Sequence, residues 1–107
     1  MASKINDEKL DFLFQAILTL ETVEDCYDFF EDLCTVSELQ EMSRRMLAAR
    51  MLRSNAVYTD IAAQTGLSTA TISRVNRSLK YGNDGYNKAL DQLEATRHPG
   101  LTDRHRS

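Results

Sequence analysis

Cysteine, long apolar runs and catalytic side-chain pairs are all scarce in this sequence, and each shortage removes a class of function. The two cysteines among 107 residues, Cys26 and Cys34, lie eight apart. That spacing suits neither a metal site nor a disulfide framework, so both read as buried thiols in a reducing cytoplasm. No apolar run approaches the roughly 20 residues that a membrane-spanning helix needs. The first residues show no basic segment leading into an apolar run and a cleavage site, so no secretory signal is visible. A cytoplasmic protein is expected. His98 and His105 fall in a polar tail with the single proline, Pro99, and no metal site is expected there. Glu24, Asp28, Glu31 and Asp32 have no His, Ser or Lys at catalytic spacing, so they read as a solvated helix face rather than an acid/base pair. An enzyme is not expected.

The chain does contain an informative stretch at residues 58–80, which reads as two short helices joined by a tight turn. Thr59 is placed as the cap of the first helix. That helix carries Ile61, Ala62 and Ala63 and stops at Gly66, which tolerates the left-handed conformation of a helix end. Leu67 points inward and Ser68 caps a second helix beginning at Thr69. Ile72, Val75 and Leu79 recur three and four apart and so share one buried face. The opposite face carries Ala70, Ser73, Arg74 and Arg77. A small, polar face ending in arginines suits a helix that enters the DNA major groove. Several constraints agreeing over so short a span identify a helix-turn-helix.

Charge supports that reading once it is mapped. The net charge of −3 is an average of opposites: residues 1–41 hold eleven acids and two bases, whereas residues 42–82 hold seven bases and only Asp60 as an acid. Positive charge therefore gathers on the helix-turn-helix and the helix before it, where phosphates would lie.

The remaining elements complete an all-α chain of about six helices. A first helix is expected over residues 6–20 with Asn6 as its cap. Leu10, Leu13, Phe14, Ile17 and Leu20 form its apolar stripe, and Phe12, Ala16 and Leu18 widen it beyond what one small subunit covers, which points to a dimer contact. Thr22 and Asp25 form a capping box for a second helix ending at Leu33. Thr35 and Glu38 form another, opening a third helix to about Arg53 with Leu39, Met42, Met46, Ala49 and Leu52 as core. After a turn at residues 81–85, a short last helix carries Tyr86, Leu90 and Leu93. Residues 1–94 are expected to form one domain, and 95–107 a disordered tail.

These residues bring out a likeness. The Thr35–Leu39 segment, the Arg44–Arg45 pair and above all the Gly66–Gly82 run, GLSTATISRVNRSLKYG, resemble the Trp repressor superfamily, and more closely its bacterial YerC/YecD branch, across residues 8–93. The resemblance implies an all-helical, intertwined homodimer whose subunits each offer a helix-turn-helix to half of an operator on double-stranded DNA, with half-sites about 34 Å apart. It also implies an effector site for a tryptophan-like corepressor, with Arg74 matching one of the two arginines that hold tryptophan and Arg44 or Arg45 matching the other. Val75 departs from the repressor, which has glycine there to make room for the indole, and this argues against tryptophan control.

The expectation is a sequence-specific transcriptional regulator, a repressor by resemblance. Thr69, Ala70, Ser73 and Arg77 are placed at base edges with Arg74 beside them, Thr59, Arg53 and Lys80 at phosphates, and Ser68 is counted with them as a DNA-binding residue. The alternative is a helix-turn-helix that docks on a protein of the transcription machinery.

Overall fold

The structure is a computed structural model and describes residues 7–96. Among these residues there are six helices and no strand: α1 (Glu8–Ile17), α2 (Val23–Leu33), α3 (Val36–Arg53), α4 (Tyr58–Thr65), α5 (Thr69–Tyr81) and α6 (Gly85–Ala95). The expected Asn6 cap and most of the tail, including Pro99 and both histidines, lie outside the described residues. The chain divides into two compact units, the first ending at Ser43 and the second beginning at Arg44, so α3 contributes to both.

In the first unit, local capping sets the helices. Asp7 accepts from the Leu10 amide at 2.8 Å and starts α1. The helix stops at Ile17 rather than Leu20, because the Thr19 hydroxyl donates to the Ala16 carbonyl at 2.7 Å and the chain tightens into three-residue turns. Thr22 accepts from the Asp25 amide at 3.0 Å, while Asp25 reaches one residue further back than a capping box requires, to the Glu21 amide at 3.1 Å. The box at Thr35 and Glu38 is reciprocal, at 3.0 and 2.8 Å. No described residue of this unit is buried. Phe12 is 74% exposed and Leu18 82%, which is the uncovered apolar surface that the breadth of the α1 stripe predicted. Two expectations fail for the same reason. Met42 is exposed rather than core, and Cys26 is an exposed thiol with Cys34 half-buried, because the described residues of this unit do not cover these side chains. Cys26, Phe30 and Leu39 line an open apolar groove of about 260 Å³ on the unit.

The second unit has a true core, built on two adjacent alanines. Ala48 joins Ile61, Leu67 and Ile72, with Met51, Ala56 and Tyr58 packed around them. Ala49 joins Val75 and Leu90, with Met46, Leu79 and Tyr86 around them. Both alanines are fully buried. Their small side chains let α4 and the start of α5 approach at Ala48, and the middle of α5 and α6 approach at Ala49. Ala48 was not anticipated from the heptad-like stripe, which passes through its neighbour.

α3 ends in a Schellman motif. The Ala56 amide bonds the Met51 carbonyl and the Asn55 amide bonds the Leu52 carbonyl, both at 3.0 Å, with Asn55 left-handed at φ 65°. Across the α3–α6 contact, Arg53 donates to Asp91 at 2.7 Å and to the Asn87 carbonyl at 3.2 Å.

Candidate nucleic-acid interface

The two helices of the predicted motif are α4 and α5, and the turn between them is fixed by three local devices. Gly66 adopts φ 77°, the left-handed conformation that only glycine reaches without steric cost, and its amide bonds the Ala62 carbonyl at 2.9 Å. Buried Thr65 donates its hydroxyl to the Ile61 carbonyl at 2.7 Å and accepts from the Leu67 amide at 3.1 Å. Ser68 then caps α5, accepting from the Thr71 amide at 3.1 Å while donating to the Thr71 hydroxyl at 3.1 Å. The sequence alone does not single out Thr65. A hydroxyl at a helix C-terminus commonly bonds back to the carbonyl four residues earlier, but nothing in the sequence says that this one also serves the turn.

The cap of α4 is not Thr59. Val57 holds the N-cap position in an extended conformation with no side-chain hydrogen bond, and its carbonyl accepts from the Ile61 amide at 3.1 Å. The Schellman turn at Asn55 brings the chain into α4 so early that Thr59 falls inside the first turn, where its side chain is exposed.

On α5, Ile72 and Val75 are buried and Leu79 is half-buried, whereas Thr69, Ala70, Ser73, Arg74, Arg77 and Lys80 are exposed. The core side and the exposed side follow the expected spacing. Val75 is 3% exposed and packed with Ala49 and Leu90, so its side chain is an integral part of the core that holds α5 in place. The far end of α5 is tied down as well. The Gly82 amide bonds the Ser78 carbonyl at 3.0 Å, and the Asn87 side-chain amide donates to the Leu79 carbonyl at 3.0 Å and to Asp84 at 3.0 Å. A Cβ on Gly82 would stand 2.6 Å from the Ser78 carbonyl oxygen, so this close approach requires glycine.

Of the cations on α3, Arg44, Arg45 and Arg50 are exposed. Arg53, expected at phosphate, instead has its guanidinium engaged by Asp91 and Asn87. From Arg44 to Thr96 there are eight basic and four acidic residues, against one and eleven from Asp7 to Ser43. The described chain thus keeps its positive charge in the unit that carries α4 and α5. Among the described residues no cluster of His, Cys, Asp or Glu has the makings of a metal site, and no helix is long and apolar enough to cross a membrane.

Known proteins share this arrangement. The sequence profile of the Trp repressor protein family matches residues 8–94. The "Uncharacterized protein YerC" of Bacillus subtilis (strain 168) is 52% identical over 93 residues, spanning 87% of this chain and 89% of that protein. The crystal structure of a TrpR like protein from Eubacterium eligens ATCC 27750 superimposes with a TM-score of 0.78 at 52% identity, covering 84% of this chain and 93% of that one. A crystal structure from Staphylococcus aureus superimposes with a TM-score of 0.77 at 53% identity, covering 80% and 86% of the two chains.

Proposed function

The chain belongs to the Trp repressor protein family, whose members are DNA-binding regulators rather than enzymes, and from that membership we propose that it is a homodimeric repressor of transcription that reads the major groove with α5. The observation that carries this reading is the division of α5 into a buried side, Ile72 and Val75, and an exposed side of small, polar and cationic residues. Thr69 and Ala70 offer methyl groups to thymine, Ser73 a hydroxyl to a base edge, and Arg77 a fork to guanine, with Arg74 beside them. Lys80 and Thr59 contact phosphate and set the register of the protein on the duplex. Ser68 acts through its cap, fixing the end of α5 that approaches the bases.

The dimer is supported by the first unit, whose described residues bury nothing on their own while Phe12, Phe14 and Leu18 stand exposed. A second copy supplies the missing cover. Two α5 helices related by a two-fold axis read half-sites about 34 Å apart. The protein acts in the cytoplasm.

Tryptophan is not the effector in this reading. Val75 stands where the repressor has glycine, and its β-branched side chain is held in the core with Ala49 and Leu90. Arg44, Arg45 and Arg74 serve the phosphate backbone instead.

Selection of bound duplexes from a random pool, run with and without tryptophan, tests these points together. Enrichment of the same near-palindrome in both conditions is the expected result. Failure to enrich any sequence in either condition would overturn the DNA reading and favour docking of α4 and α5 on a protein. Enrichment only with tryptophan would overturn the role given to Val75.

A further inference from the structure

α5 carries an aromatic side chain that no part of the core uses. Tyr81, its last residue, is 82% exposed. At about 100° per residue, Ala70, Arg77 and Tyr81 fall within roughly 40° of one another around the helix axis. Tyr81 therefore continues the exposed stripe, on the side opposite buried Ile72 and Val75.

Position along the axis defines what it meets. Ala70 and Tyr81 are separated by about 16 Å of helix, whereas the major groove is about 12 Å wide. A helix whose first turns lie at base edges therefore brings Tyr81 over the sugar–phosphate backbone that borders the groove. The backbone of Tyr81 is also held in place beforehand. Two carbonyls of the same turn, Ser78 and Leu79, are bonded by the Gly82 amide and by the Asn87 side chain, so the last turn of α5 has little freedom to lose on binding.

We infer that Tyr81 is a DNA-positioning residue whose phenol hydroxyl donates to a phosphate oxygen at the edge of the groove read by α5. The inference rests on the DNA reading above and adds to it a neutral backbone contact beside the cationic ones.

The test is a set of titrations with the full-length protein, against the selected operator and an unrelated duplex, at several salt concentrations. Tyr81→Phe removes only the hydroxyl and should weaken binding to both duplexes by roughly ten- to hundredfold, as loss of a hydrogen bond to a charged group does. The phenol is neutral, so the slope of log affinity against log salt should stay that of the wild type. Tyr81→Ala should lose at least as much. Wild-type affinity for Tyr81→Phe overturns the inference. So does a loss confined to one operator position, or a loss that tracks weaker dimerisation in sedimentation. A failure of the underlying reading is separately visible, because then the wild-type protein itself binds no duplex.

Discussion

Arg53 Nη2 lies 2.7 Å from Asp91 Oδ1, and this ion pair joins the last residue of α3 to α6 across 38 positions of chain. With the side chains 30% and 67% exposed, its contribution to stability is small, at most about 1 kcal/mol. Its consequence for binding is larger, because the guanidinium already has two protein partners. Arg53→Ala should leave the salt dependence of operator binding nearly unchanged, while Lys80→Ala should lower the slope by about one. Affinities measured between about 50 and 200 mM salt check both.

The Thr65 hydroxyl is predicted to hold the turn. Thr65→Val keeps the shape but removes the donor to Ile61 and leaves the Leu67 amide without its acceptor. Loss of buried hydrogen bonding of this kind costs about 1–3 kcal/mol, to be read as a lower denaturation midpoint in urea.

Glycine substitutions at the two ends of the α5–α6 turn should differ. Gly82→Ala would place a Cβ 2.6 Å from the Ser78 carbonyl oxygen, whereas Gly85→Ala meets nothing within 4 Å. The first should destabilise by about 1–3 kcal/mol, as overpacking does. The second should be neutral or stabilise by up to about 1 kcal/mol, since alanine is the better helix former. Thermal melts of the two variants, side by side, decide it.

Arg77 is the residue expected to discriminate between sequences. If its fork pairs with guanine, Arg77→Ala should cost about 1–3 kcal/mol, concentrated at one operator position. Repeating the duplex selection with the variant checks this, and equal losses on all sequences would reassign Arg77 to phosphate.

Much of the second unit was legible because its signals are local. The Gly66 turn, the Ser68 cap and the buried spacing of Ile72 and Val75 each depend on residues within four positions, and all appear as read. The Thr35 and Glu38 box is another. What the sequence hid is contact between distant segments. Arg53 looked like any cation near a DNA-facing helix until Asp91 arrived from α6. Thr59 had the chemistry of a cap, but the Schellman turn before it had already decided where α4 begins. Hydrophobicity places Cys26 and Met42 inside, but it says only that a side chain favours cover and not which chain provides it.

Ala48 and Ala49 are consecutive, yet each belongs to a different cluster of the core. One residue added or deleted between this pair and the end of α3 would turn the alanines by roughly 100° relative to Met51, Leu52 and the helices that follow and deliver each alanine to the wrong neighbour. α3 is thus intolerant of any change in length between this pair and Arg53, although it tolerates exchange of its exposed side chains. The left-handed Asn55, just beyond the helix, is where chain length can vary without turning the pair. Related chains that differ in length should carry their insertions and deletions at that junction and keep the count through the alanines unchanged.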